Sequence, residues 1–417
     1  MLRAVVRRPR PAVLLLMAGT LLAAACGSTD DASAGPGTDA AASEAPVSGT
    51  GGEPVMVSDR IEPSPPDVTI SGLSIFRGDE IAGAPEPLVA LDEIRSGGPP
   101  PDGIPSIDDP TFLRPADVDF LGETEPVLAF EIDGDARAYP VQILMWHEIV
   151  NDTVGGVPVA VTYCPLCNSA VAYDRRIGDR VLEFGTSGLL WNSALVMYDR
   201  QTETLWSHFT GQGIVGELTG TEIDTLPVAT VPWGLWRDAH PDGLVLSQDT
   251  GFDRSYGRNP YPGYDDVNSQ PFLFEGEVDG RYTAMTRIVG VQVGDDALGV
   301  PLFTLREQRV VAAEVGGTDV VVFWAPGTAS ALDSSNVAGG DDVGATGVFI
   351  PVVDGQTLTF EPVDDGFADD QTGTTWNLLG QAVEGPLAGS TLEAITHLDT
   401  FWFAWSAFRP DSAIVES

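Results

Sequence analysis

Apolar and polar positions alternate over short stretches through most of the chain after about residue 100. This period of two is typical of half-buried β-strands. Residues 125–141 alternate in this way on both sides of Asp133–Gly134, which predicts a β-hairpin. The stretches PVAVTY, SAVAYDR, DRVLEF and SALVMYD predict further strands, because they are rich in β-branched or aromatic residues and are bounded by turn residues.

Helical spacing occurs in only a few places. Residues 142–152 (QILMWHEIVND) predict one short helix, with Ile143, Trp146, Ile149 and Val150 on its buried face. PWGLWRDAHPDG and FWFAWSAFRPD predict two matching short helices that end before a proline. The expected fold class is therefore α+β and β-rich.

Two blocks of the chain repeat in the same order. Residues 150–171 align without a gap on residues 311–332, and nine of the 22 positions are identical. Residues 211–220 align on 380–389, and the same offset places Trp233 and Trp236 on Trp402 and Trp405. The pattern predicts a tandem duplication of two similar units related by a pseudo-two-fold axis. The predicted units are residues 100–255 (copy one) and the degenerate residues 287–417 (copy two), joined by the connection 256–286.

The N-terminus resembles an export signal. Residues 1–25 combine an arginine-rich start with a short apolar run, and Cys26 follows directly, which predicts a lipoprotein signal peptide with Cys26 as the lipidation site. The alternative is ordinary cleavage near the same place. The expected location is the outer face of the cell membrane, with the lipid as the membrane partner. Residues 26–64 predict a disordered tether, and residues 65–99 an N-terminal extension of the folded region.

The chain is strongly acidic, with a formal net charge of −40. Such a surface repels phosphate backbones, so we expect no nucleic-acid partner.

Candidate chemistry is concentrated in copy one. Cys164 and Cys167 form a C-x-x-C pair in the stretch CPLC, and these are two of only three cysteines. Copy two has other residue types at the positions that align with the chemically able residues of copy one: Ala325 for Cys164, Thr328 for Cys167, Gln308 for His147, Arg309 for Glu148 and Leu378 for His208. The joint loss of these groups indicates that they share one site.

The leading hypothesis is a transition-metal site for copper or zinc that serves metal handling or redox chemistry. Its ligands are Cys164, Cys167 and His147, with His208 as a possible fourth. Glu148 and Asn151 are placed beside the ligands, where they would orient them. Cys164, Cys167 and Glu148 are also the candidate catalytic groups.

Two alternatives remain open at this stage. In an exported protein the cysteine pair is by default a disulfide, so the chain is also compatible with a non-catalytic binding or scaffold module. A thiol–disulfide redox protein with an unknown partner protein is the other alternative. Asp199, Arg200 and Trp206 are possible ligand contacts, although a carboxylate and a guanidinium at strand ends are usually structural.

Several phrases resemble one family. ARAYPVQILMWHEIVND, VTYCPLCNSAVAYDR, GLLWNSALVMYDRQTETLWSHFTGQ and SYGRNPYPGYDD are similar to the bacterial and archaeal family called domain of unknown function 3179. The resemblance covers about residues 95–417. It implies an exported or membrane-anchored protein with a CPLC-type motif and no assigned activity. WSHF departs from the WSQ of that family, which favours an open site of two cysteines and one histidine.

Overall fold

The computed structural model describes residues 54–55, 57, 59–66 and 84–416. The predicted signal peptide, Cys26, most of the tether and part of the N-terminal extension lie outside these residues. Short apolar segments separated by glycine-, asparagine- and proline-containing turns form strands through most of the described chain.

The first half of the described chain contains sixteen strands and two α-helices. The strands are β1 (Ile94–Ser96), β2 (Phe112–Leu113), β3 (Pro126–Ile132), β4 (Asp135–Pro140), β5 (Ile149–Val154), β6 (Val157–Cys164), β7 (Ser169–Asp174), β8 (Arg176–Ile177), β9 (Arg180–Val181), β10 (Phe184–Trp191), β11 (Ala194–Asp199), β12 (Leu205–Ser207), β13 (Gly213–Val215), β14 (Thr225–Leu226), β15 (Ala229–Pro232) and β16 (Leu244–Leu246). The helices are α1 (Val141–His147) and α2 (Trp233–Ala239).

The second half follows a similar order of elements. Its strands are β17 (Arg287–Val293), β18 (Asp296–Pro301), β19 (Val310–Val315), β20 (Thr318–Ala325), β21 (Ala345–Ile350), β22 (Val352–Val353), β23 (Gln356–Thr357), β24 (Phe360–Val363), β25 (Gly366–Asp369), β26 (Thr375–Trp376), β27 (Ala382–Glu384), β28 (Glu393–Ala394), β29 (His397–Phe401) and β30 (Ala413–Ile414). Its helices are α3 (Leu302–Gln308) and α4 (Trp402–Phe408). In the two halves together, the described residues 91–93, 115–117 and 337–339 form short 3-10 turns.

Three sheets of the first half have counterparts with the same strand order in the second. The order β15-β3-β4-β16 corresponds to β29-β17-β18-β30, and β14-β7-β6-β5 corresponds to β28-β21-β20-β19. The order β10-β11-β12-β13 corresponds to β24-β25-β26-β27. One difference lies beside CPLC: residues 165–168 join β6 to β7, whereas the longer segment 326–344 joins β20 to β21.

The structure confirms a β-rich α+β fold. The predicted hairpin is β3–β4, with its turn at Asp133 and Gly134, where φ is +50° and +82°. The two predicted tryptophan-containing helices are α2 and α4.

The prediction of one helix over residues 142–152 was wrong in its second half. Helix α1 ends at His147, Glu148 takes a φ of +60°, and Ile149 begins β5. A positive φ ends a right-handed helix, and the β-branched residues that follow pair with β6 instead.

The two halves share their largest apolar core. This cluster contains Cys164 and Cys167 from the first half together with Phe401–Trp405 from the second. Among the described residues, no helix is both long and apolar enough to cross a membrane.

Candidate functional site

The CPLC segment forms the tight turn between β6 and β7. Cys164 ends β6 and pairs with Ser169, the first residue of β7. Asn168 closes the turn with a φ of +52°, and its side-chain oxygen accepts a hydrogen bond from the Tyr163 hydroxyl at 3.1 Å. The turn brings Cys164 and Cys167 together, and both are buried free thiols.

The two sulfur atoms lie in different electrostatic surroundings. Burial raises the pKa of Cys164, but hydrogen bonds from the Cys167 thiol and from the backbone N–H groups of Cys167, Leu195 and Leu166 outweigh it, so this pKa lies below its usual value. The N–H of Leu195 lies 3.4 Å from the Cys164 sulfur. Burial and the neighbouring Cys164 raise the pKa of Cys167 well above its usual value. Cys164 is therefore the more readily ionised member of the pair.

His208 completes a three-residue cluster with the two cysteines. It follows β12, and its backbone N–H donates to the Leu195 carbonyl at 3.1 Å, which holds it beside β11. The ligand atoms of Cys164, Cys167 and His208 all lie within 4.8 Å of one another. The prediction of His208 as a possible ligand therefore agrees with the position of its ring.

The His208 imidazole has no hydrogen-bond partner among the described residues. Its side chain is fully buried, and neither Nδ1 nor Nε2 has a partner. Burial lowers the pKa of His208 to about 3, so the ring is neutral at physiological pH. A neutral imidazole is the form that coordinates a metal ion.

Glu148 lies close to the cysteines, at the left-handed position between α1 and β5. Its backbone N–H donates to the Leu144 carbonyl at 2.7 Å, and its carbonyl accepts from the Tyr163 N–H at 2.8 Å. These bonds fix the backbone, whereas no described residue forms a hydrogen bond with the carboxyl group. Burial raises the pKa of Glu148 to about 8, and the charge of Cys164 adds to this effect.

The structure does not bring His147 into the cysteine cluster. Its Nδ1 lies 2.7 Å from the Pro105 carbonyl, and its Nε2 lies 2.6 Å from the Tyr256 hydroxyl. Because a carbonyl only accepts, Nδ1 donates to Pro105 and Nε2 accepts from Tyr256. Both ring nitrogens are therefore used within the protein, and the geometry supports His208 in place of His147 as the imidazole ligand.

Asn151 connects strands β5 and β10 through its side-chain amide. Its side-chain NH₂ donates to Asp108 and to the Phe184 carbonyl, each at 2.8 Å, and its oxygen accepts from the Phe184 N–H at 3.0 Å. These bonds use the amide to hold β5 against β10.

Asp199 and Trp206 form a buried clamp. The Trp206 indole N–H donates to Asp199 at 2.9 Å, and the Thr202 hydroxyl donates to the same carboxylate at 2.8 Å. The second half repeats this arrangement, with the Trp376 indole donating to Asp369 at 3.0 Å. A pattern present in both halves, one of which lacks the cysteines, indicates a structural role.

Arg200 is likewise bound within the framework. Its guanidinium contacts Asp108 at 2.6 Å, Glu183 at 2.5 Å and Asp102 at 3.2 Å. These ion pairs tie the loop of residues 102–108 to β11, and they satisfy the charge of Arg200 without an external ligand.

A cavity of about 460 Å³ adjoins Glu148. Part of its wall comes from the connection, because Tyr261 and Tyr264 line it and the Tyr264 hydroxyl donates to the Leu166 carbonyl at 3.0 Å. Both tyrosines belong to the phrase SYGRNPYPGYDD, for which the sequence predicts only a role as a connection between the two copies.

Comparison with known proteins gives a family and no activity. The model of a family described as "Protein of unknown function (DUF3179)" matches residues 101–412, which is most of the chain. No curated protein and no solved structure matches the chain. The chain therefore belongs to the DUF3179 family of proteins of unknown function.

Proposed function

We propose that this protein binds one transition-metal ion, copper or zinc, through Cys164, Cys167 and His208, and uses it in metal handling or redox chemistry. The observation that carries the proposal is the His208 ring, which is fully buried beside two thiols with neither nitrogen hydrogen-bonded. Native structures rarely leave a buried polar group without a partner, because each such group costs about 1–3 kcal/mol. A metal ion between the three side chains would accept one of these nitrogens as a ligand.

The distances support this ligand set. In a tetrahedral site with metal–sulfur and metal–nitrogen bonds of about 2.3 and 2.0 Å, the ligand atoms lie roughly 3.5–3.8 Å apart. The three ligand atoms here lie within 4.8 Å of one another, so small side-chain adjustments suffice. Thiolates with imidazole suit copper(I) and zinc better than calcium or magnesium.

The residue types in the second half also support one site in the first half. The positions that align with Cys164, Cys167 and His208 hold Ala325, Thr328 and Leu378, none of which is a ligand for such a metal. Glu148 lies near enough to Cys164 for the charge of that sulfur to raise its pKa, so its carboxyl group would hold or release a proton close to the three ligands.

The test is the metal content of the full-length protein, purified anaerobically and reconstituted separately with copper(I) or zinc. We expect about one ion per chain in the wild type, and loss of the ion in Cys164→Ser and in His208→Leu. His147→Gln is the matched control, because both ring nitrogens of His147 already have protein partners and glutamine is the residue at the aligned position 308. We expect this variant to keep the metal. Equal metal loss in both histidine variants, or no metal in the wild type, would contradict the proposal.

A second candidate function is thiol–disulfide redox chemistry. The specific observation that favours it is the contrast between the lowered pKa of Cys164 and the raised pKa of Cys167, which is the split that dithiol exchange uses. The burial of both thiols opposes it, since exchange requires contact with a partner disulfide. A reduction potential that remains the same in His208→Leu would favour this candidate over metal binding.

We further propose that the protein is an exported lipoprotein, anchored at Cys26, whose two halves arose by duplication. The signal-like N-terminus supports the anchor, and the shared strand orders with the paired Asp199 and Asp369 clamps support the duplication. Cys26→Ala should release the protein from the membrane fraction, and retention there would refute the anchor. Superposition of the halves in an experimental structure tests the duplication and its pseudo-two-fold axis.

A further inference from the structure

The cavity beside Glu148 has firmly held walls. On one side, the backbone of Gly97 donates to the Gly188 carbonyl at 2.8 Å, and Asp102 donates to the Thr186 carbonyl at 2.8 Å. Gly188 has a φ of +74°, and a Cβ atom there would lie 1.9 Å from the Pro99 carbonyl oxygen, so only glycine allows this close approach. The cavity is therefore part of the fold and not a gap between loosely packed segments.

The lining is mainly apolar, and its polar side chains are Glu148, Gln270 and the two tyrosines Tyr261 and Tyr264. Leucine side chains from β10 and β11 contribute, together with Ile104, Tyr261 and Phe272. Phe272 is 48% exposed, so this side chain marks the rim where the cavity meets solvent. A volume of about 460 Å³ falls in the range of small-molecule sites, which is about 300–1,000 Å³.

Glu148 supplies the carboxyl group in this lining. It is 8% exposed, and its carboxyl group has no hydrogen-bond partner among the described residues. A mainly apolar cavity with a buried, unpartnered carboxyl group favours a ligand that is apolar except for a group able to hydrogen-bond that carboxyl, because burying the carboxyl without a partner is costly. The aligned residue of the second half, Arg309, instead donates to the Val363 carbonyl at 2.9 Å.

We propose that this cavity binds an uncharged, apolar small molecule that carries one hydroxyl group, with the hydroxyl group bound to the Glu148 carboxyl. A hydroxyl group can donate to a carboxylate or accept from a carboxylic acid, so the contact does not depend on the protonation state of Glu148. Anionic ligands are disfavoured by the net charge of −40 and by the carboxyl group itself. Binding requires the cavity and Glu148 but no metal ion. That the molecule is the substrate of the adjacent metal site rests on the proposed function.

The test compares three bicyclic probes of similar size by equilibrium dialysis at pH 7. 2-Naphthol carries the hydroxyl group, 2-methylnaphthalene lacks it, and 2-naphthoate is an anion. For the full-length wild type, we expect 2-naphthol to bind several-fold to about tenfold more tightly than 2-methylnaphthalene, as one buried hydrogen bond predicts. We expect no measurable binding of 2-naphthoate.

Three variants locate the binding. Glu148→Gln should keep the preference for the hydroxyl group, because an amide also donates and accepts, whereas Glu148→Leu should abolish it. Leu189→Trp, which fills the cavity from β10 without touching the cysteine cluster, should abolish binding of both neutral probes while metal content stays unchanged. Failure of both neutral probes to bind the wild type, equal binding of 2-naphthoate, or an unchanged preference in Glu148→Leu would overturn the proposal.

The His208→Leu variant separates this proposal from metal binding. We expect it to keep the 2-naphthol preference even when it contains no metal. If His208→Leu loses the preference while Glu148→Leu keeps it, the hydroxyl group binds the ion and the assignment to Glu148 is overturned. If no metal is found in any sample but the Glu148-dependent preference persists, the cavity proposal stands and the metal proposal fails.

Discussion

Replacing His208 by leucine should stabilise the metal-free protein. The neutral ring leaves one donor and one acceptor without partners in a fully buried position, and each such group costs about 1–3 kcal/mol. Leucine carries no polar atom, and Leu378 fills the aligned position of the second half, where it is buried. We therefore expect the free energy of unfolding of His208→Leu to exceed that of the wild type by about 2–6 kcal/mol when a chelator is present.

Added metal should reduce or reverse this advantage of the variant. A metal at one hundred times its dissociation constant stabilises the wild type by about 2.7 kcal/mol, and this gain is absent from a variant that lacks a ligand. The stability difference between wild type and variant should therefore shrink or reverse on addition of copper(I) or zinc. The assay is thermal unfolding followed by circular dichroism, with and without chelator, under anaerobic conditions.

Acidification provides an independent check on the metal-free protein. The folded-state pKa of His208 is about 3, below the usual 6.5, so the unfolded chain binds a proton between these values that the folded chain does not. The free energy of unfolding therefore falls as the pH decreases from about 6.5 towards 3, because protonation of His208 favours the unfolded chain. The leucine variant should lack this component of the acid-induced destabilisation.

His147→Gln is the control for these measurements. Both ring nitrogens of His147 are hydrogen-bonded, so its replacement should destabilise the protein by about 1–2 kcal/mol whether or not metal is present. A metal-free wild type that is as stable as His208→Leu would refute the reasoning, because the ring would then have a partner that the geometry does not contain.

Three further predictions concern other buried polar groups. In the metal-free protein, the pKa of Glu148 is raised from 4.5 to about 8, so the free energy of unfolding falls as the pH rises through this window. In thermal unfolding, Glu148→Gln should be as stable as the wild type at pH 4.5 and more stable at pH 8, by up to about 4 kcal/mol. Asp199→Ala and Asp369→Ala should each destabilise the protein by about 3 kcal/mol in urea unfolding, because each removes the acceptor of a buried indole N–H. Both variants should retain the metal, and metal loss in Asp199→Ala alone would instead indicate that Asp199 has a role at the metal site. Thr400→Val should lower the free energy of unfolding by about 1 kcal/mol and weaken metal retention against a competing chelator, because the Thr400 hydroxyl donates to the Cys167 carbonyl at 2.7 Å. Unchanged metal retention would show that this bond does not position the thiol.

Features of the fold that depend on local sequence could be predicted. The β3–β4 hairpin follows from alternation around Asp133–Gly134, and helix α2 is bounded by Pro232 and by the His240–Pro241 pair. The boundary at Glu148 could not be predicted, because residues 149–154 become a strand by pairing with β6 and not through a local helix stop signal. Their apolar spacing fits either a helix or a strand, so tertiary pairing decides between them.

The sequence predicts that Cys164 and Cys167 lie together, but it does not predict which histidine lies beside them. The C-x-x-C spacing fixes Cys164 and Cys167 on one turn, which is a local property. Which histidine lies beside the thiols depends on contacts that are distant in sequence. Pro105 and Tyr256 form hydrogen bonds with both ring nitrogens of His147, whereas the Leu195 carbonyl holds the backbone of His208 beside the thiols. The comparison of the two halves identified both histidines as specific to copy one, but the prediction that placed His147 ahead of His208 does not match the cluster that the structure forms.

The second half contributes to the site although it lacks the reactive residues. Its Thr400 hydroxyl and Phe401 N–H both donate to the carbonyl of Cys167, at 2.7 and 3.2 Å, and its residues Phe401–Trp405 share a core with the two cysteines. A short turn that carries two thiols would otherwise be free to relax towards a disulfide or away from a bound ion. Because the second half holds this turn through bonds to the Cys167 carbonyl, the packing of β29 and α4 bears directly on the position of the Cys167 thiol. The second half therefore supports the turn through β29 and α4, although the three clustered side chains all come from the first half.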